Sequence, residues 1–117
     1  MWDIIFYEKE NGRTPVQEFL DALPVKHQAK ALRDIDILEE FGMSLKEPHA
    51  KHIKDKIWEL RIKSSSDISR IFYFAHDGKD IILLHGFVKK TQKTPAREIE
   101  IASKYFEDYM GRDRNEL

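Results

Sequence analysis

Ile4, Ile5, Phe6 and Tyr7 form a short β-prone run that ends at Asn11-Gly12, which predicts a first strand and then a turn. Helical spacing follows, with Val16, Phe19, Leu20 and Leu23 recurring behind Thr14-Pro15-Val16-Gln17. There Thr14 is placed to cap, Pro15 needs no donor in the first turn and Gln17 completes a capping box. Pro24 interrupts this helix. A second runs to about Glu40 with Leu32, Ile35 and Leu38 on one side and Gly42 as its stop, so the pair forms a helical hairpin. Residues 43–56 show neither period and hold Pro48, two histidines and four lysines, the composition of a basic loop. Three apolar segments, 57–63, 68–76 and 81–90, are separated by Ser64-Ser65-Ser66-Asp67 and by a turn at Asp77-Gly78, which predicts a meander of three antiparallel strands. The last element opens at Thr94-Pro95 and places Ile99, Ala102, Phe106 and Tyr109 on one face. The order β-α-α-β-β-β-α predicts one α+β domain over residues 1–117, with the helices on one face of an antiparallel sheet.

Strand register sharpens this picture. A loop at 64–67 places Lys63 opposite Ile68 and therefore Arg61 directly opposite Arg70. A two-residue turn at Asp77-Gly78 sets His76 opposite Lys79 and, in the same count, Arg70 across from His85. Parity gives Phe87 and Lys89 to the same face. The other face carries Trp58, Tyr73 and Ile82 in one row and Leu60, Ile71 and Leu84 in the next, the apolar set that helices require, so Trp58 and Tyr73 read as core. Like charges directly opposite each other cost a sheet up to ~1 kcal/mol, so the arginine pair asks for an anion. Two guanidiniums with Lys89 nearby suit a phosphodiester, because each arginine offers a planar fork of donors that stays charged. The alternative acceptor is Glu59, two positions from Arg61 on the same face.

Composition narrows the function classes. Twenty Lys and Arg against twenty-one Asp and Glu give a net charge of -1, which describes no general polyanion binder. The distribution is uneven: residues 1–42 are net -4, residues 98–117 net -3, and residues 43–97 net +6. A central basic block is either one phosphate-attracting surface or a set of solvated lysine-rich loops. The absence of cysteine excludes a disulfide framework and thiolate chemistry and suits a reducing cytoplasm. Apolar runs such as Ile81-Ile82-Leu83-Leu84 are far below the ~20 residues that span a bilayer, and Met1-Trp2-Asp3 opens no signal peptide. His49 and His52 lack a third ligand and sit among lysines that repel a cation, so no metal site is expected; nucleotide-binding loops and acyl-transfer triads are also missing.

Four motifs in order carry a resemblance: Ile57-Trp58-Glu59-Leu60-Arg61-Ile62, Ser69-Arg70-Ile71-Phe72-Tyr73, Leu84-His85-Gly86-Phe87-Val88-Lys89-Lys90-Thr91, and Thr94-Pro95 with Glu98 and Ala102. From about residue 4 to residue 107 the chain resembles the HigB toxins of the RelE/ParE superfamily, in particular their phage-derived branch. The resemblance implies a small curved sheet with an N-terminal helical hairpin and a C-terminal helix. It also implies a cytoplasmic type II toxin that cleaves mRNA on the translating ribosome without a metal or other cofactor, silenced by a HigA-like antitoxin with a helix-turn-helix. Carried over by motif, the catalytic residues are Arg61, Arg70, Lys89 and, second in rank, Lys90. Lys51, His52, Lys54, His85 and Lys93 are expected to bind RNA. No general base is assigned. ParE-type relatives share the fold but inhibit gyrase, and an inert member would act only through its antitoxin, so the fold alone does not decide activity.

Overall fold

The computed structural model describes residues 1–90 and 93–115, the last three as backbone only. Thr91, at the end of the third motif, lies outside the described residues. The three apolar segments form β3 (Ile57–Ser64), β4 (Asp67–His76) and β5 (Asp80–Val88), preceded by β1 (Asp3–Phe6), the helices α1 (Pro15–Asp21) and α2 (Val25–Phe41), a 3₁₀ turn at Gly42–Ser44 and β2 (Ala50–Lys54). A third helix, α3, spans Ala96–Asn115. The result is an α+β fold with three helices and a five-stranded sheet in the order β1-β5-β4-β3-β2, compatible with a RelE-like architecture.

Two strands depart from the expected pattern. The segment read as a basic loop contains β2, which pairs antiparallel with β3 at the sheet edge. Its side chains are mostly solvated, so it lacks the apolar alternation that marks a strand. β1 closes the opposite edge parallel to β5, so the sheet is mostly rather than wholly antiparallel.

The helices cover both faces, not one. In β4 the six residues Ser69 to Phe74 are buried in succession, which requires cover on each side. α1 and α2 pack Val16, Leu20, Ala31, Ile35 and Leu38 on Leu60, Ile62, Ile71, Tyr73 and Leu83. α3 packs Ile99, Ala102, Phe106 and Tyr109 on Phe72, Phe74, Ile82, Leu84 and Phe87. Ile82 and Leu84 therefore face α3 instead of the hairpin. On α2, Leu32 is 47% exposed and the inward row is His27, Ala31, Asp34, Ile35 and Leu38, where His27 Nε2 and Ser69 Oγ share a hydrogen bond of 2.7 Å.

Local chemistry explains most boundaries. Pro15 starts α1, but Thr14 makes no side-chain cap and Gln17 bonds forward to Asp21 at 2.9 Å, so the capping box does not form. α2 stops at Gly42, whose φ of +54° favours glycine. A Cβ there would lie 1.9 Å from Trp2 Nε1. We expect Gly42→Ala to lower stability by about 1–3 kcal/mol, from backbone strain and displacement of the indole. A chemical unfolding midpoint unchanged from the parent would contradict this packing.

Register at the arginines is as expected on one side only. Arg61 pairs with Arg70, but Arg70 faces Phe87 and not His85. The turn is one residue longer than a two-residue hairpin, setting His76 opposite Asp80, and a bulge follows between Phe72 and Tyr73. The two one-residue shifts restore parity, so Arg61, Arg70 and Phe87 still share a face.

Candidate functional site

β3 points Ile57, Glu59 and Arg61 toward the α3 side, beside Lys51 on β2 and Arg70 on β4. At the centre is Glu59, only 1% exposed. Its Oε1 lies 3.2 Å from Arg70 Nε, its Oε2 lies 3.8 Å from Arg61 Nε, and Oε1 also accepts a hydrogen bond of 3.0 Å from the Thr94 hydroxyl. Arg70 is 8% exposed and donates from Nη1 to the Ser69 carbonyl at 3.2 Å.

This geometry revises the picture of two open guanidiniums. Arg70 is held in a buried ion pair, whereas the Arg61 side chain remains 27% exposed and farther from the carboxylate. The Nε atoms of both arginines are buried without an aligned hydrogen-bond acceptor, so what Arg61 offers the cavity is the more exposed remainder of its side chain. Glu59 thus divides the pair: Arg70 completes the floor and Arg61 lines the cavity above it.

Above that floor lies a cavity of about 320 Å³ lined by Lys51, His52, Glu59, Arg61, Lys89 and Lys93, with Ile53, Thr94 and Ile99 completing the wall. Four cations surround one carboxylate, an arrangement that draws in an anion while Glu59 keeps Arg70 in place. The sheet supplies Lys51, Glu59 and Arg61, and the segment between β5 and α3 supplies Lys89, Lys93 and Thr94.

Lys89 carries a proton less readily than an ordinary lysine, because of burial first and then the nearby Arg70, Arg61 and Lys51 charges; Glu59 opposes the shift. Between this lowered value and the ordinary 10.5, the unfolded chain binds the extra proton, so Lys89 adds stability as pH rises through that window. We expect an NMR titration of Lys89 Nζ to show a midpoint below 10.5, moving upward in Arg61→Gln as one repelling charge is removed. A midpoint at the ordinary value in both proteins would contradict the clustering.

The remaining expected residues scatter. His52 lines the cavity, with Nε2 also 2.6 Å from the Asp55 carbonyl oxygen. Lys54 lines a separate depression of about 380 Å³ with Ala96, Ile99, Glu100 and Ser103. His85 is tucked under α3, with Nε2 2.7 Å from Glu98 Oε1. Lys90 is exposed, and the cavity wall is built from Lys89 instead. Thr94, read as a helix cap, and Glu59, read only as an alternative acceptor, become central. Facing parity identifies Glu59 as a neighbour of Arg61, but no local sequence signal announces its burial.

The family model described as Phage derived protein Gp49-like (DUF891) matches residues 18–107. This chain belongs to the Gp49-like family. Gp49-like proteins are a RelE/ParE-like toxin family, and the matched span includes every side chain that lines the cavity. No curated protein matches the sequence at a significant level. Among the described residues of this Gp49-like chain, no helix is long and apolar enough to cross a membrane.

Proposed function

We propose that this protein is the toxin of a type II toxin–antitoxin pair, a HigB-like endoribonuclease that cuts mRNA on the translating ribosome in the cytoplasm. The observation that carries the reading is the Arg61 side chain, 27% exposed over a buried carboxylate, in a cavity walled by Lys51, Lys89 and Lys93. The ordered motifs from Trp58 to Thr94 support the same class.

RNA brings its own nucleophile. The ribose 2′-oxygen attacks the adjacent phosphorus, the bond to the 5′-oxygen breaks, and a 2′,3′-cyclic phosphate and a 5′-hydroxyl result. One proton leaves the 2′-hydroxyl and one reaches the departing oxygen. The non-bridging oxygens gain charge during attack, and Arg61 stabilises it with a pre-positioned fork. Lys89 is the candidate proton carrier, since its lowered pKa brings its neutral form closer to working pH. Lys51 and Lys93 hold the flanking backbone.

The same cationic wall is the surface for an antitoxin segment rich in Asp and Glu, whose association would weaken as salt rises. Primer extension on a reporter mRNA tests the activity: cuts are expected only when the message is translated. Inhibition of gyrase without RNA cuts would replace this reading with the ParE-like one, and neither activity would leave a protein acting only through its antitoxin.

A further inference from the structure

The cavity at Arg61 adjoins a second hollow of about 430 Å³, since Lys51 and His52 line both. The second hollow sits at the β2 edge and is also lined by Lys46, Glu47, Ala50 and Trp58. Trp58 belongs to the row read as core, yet unlike Tyr73, which is fully buried, it is only half-buried. It packs on the hairpin core while remaining part of the hollow's wall. The exposed Lys46 places its Nζ 4.5 Å from the indole centroid, and the His52 ring stands edge-on to it at 5.4 Å.

The ammonium over the indole sits on a flexible, exposed side chain that a flat ligand can displace. The exchange is favourable because stacking of a base on an aromatic ring is generally stronger than an exposed lysine–indole contact, and the displaced ammonium gains a phosphate partner. Glu47 in the same wall repels phosphate and accepts hydrogen bonds from exocyclic amines, so this hollow suits a base while the Arg61 cavity suits the linkage.

We propose that Trp58 is a base-stacking subsite: the RNA strand crosses the β2 edge, with one phosphodiester at Arg61 and a neighbouring nucleobase on the indole in place of Lys46. This rests on the reading of the Arg61 cavity as a phosphodiester site. The probe is a 2′-O-methyl RNA trinucleotide, which the cyclising reaction cannot cut, together with its counterpart bearing one abasic position. The protein is Trp2→Phe, in which Trp58 is the remaining tryptophan. Binding is followed by anisotropy and by indole emission.

The trinucleotide should quench Trp58, and the abasic form should bind about tenfold more weakly without quenching. Trp58→Leu should reproduce that loss and Trp58→Phe should recover most of it, which separates stacking from a change in folding. Binding that depends on Arg61 but leaves the emission unchanged would overturn the subsite and preserve the phosphodiester reading. No binding of either oligonucleotide would overturn both.

Discussion

Arg70→Ala is expected to cost about 3–5 kcal/mol of folding stability, because it strands a buried carboxylate. Glu59 is 1% exposed, and Arg70 is its nearest cation at 3.2 Å. Its other contacts among the described residues include the Thr94 hydroxyl at 3.0 Å and Arg61 at 3.8 Å, a neutral group and a looser cation that replace the Arg70 pairing only in part. Burial lowers the Arg70 pKa despite the opposing pull of Glu59, so the intact pair is not itself a large source of stability. Breaking one side is what costs. A domain with a total margin of roughly 5–15 kcal/mol would then be partly unfolded under mild conditions. Urea unfolding should show the drop, and adding Glu59→Gln to Arg70→Ala should restore at least ~1 kcal/mol by removing the stranded charge. A loss below ~1 kcal/mol in the single variant would show that water reaches Glu59.

Arg61→Ala should have the opposite profile. Its side chain is 27% exposed and looser against Glu59, so stability should stay within about 1 kcal/mol of the parent. Cleavage in a single turnover should fall by about 10²–10³, the usual consequence of removing one donor from a developing oxyanion. Arg61→Lys should recover only part of this, because an ammonium keeps the charge but loses the planar fork. Equal activity in Arg61→Ala and parent would remove Arg61 from the chemistry. A fall in activity that tracks unfolding would assign it to the fold.

The two arginines illustrate what a single sequence discloses. Their pairing across β3 and β4 was legible because a short turn fixes the register and facing parity follows by counting. Their unequal exposure was not, since it depends on Glu59 beneath them and on Thr94 arriving from a segment 35 positions away. β2 carries no strand signal because only Ala50 in it is buried, leaving lysine and histidine to dominate the pattern. The longer turn at 77–79 and the bulge at Phe72 and Tyr73 have no marker of their own, and together they set His85 opposite Phe72 instead of Arg70, under α3. The run Ile71-Phe72-Tyr73-Phe74 did hold a clue to the third helix's position. Four consecutive large apolar residues indicate a strand covered on both faces, whereas a sheet with helices on one side would alternate.

The division of roles between Arg61 and Arg70 is best observed at the guanidinium nitrogens. With nitrogen-15 labelling, titration with a 2′-O-methyl RNA oligonucleotide should shift the Arg61 guanidinium Nη resonances as the more exposed side chain gains a phosphate acceptor, while those of Arg70, whose side chain is 10% exposed and held against Glu59, move little. A shift confined to Arg70, or none at Arg61 when the oligonucleotide is bound, would contradict the account.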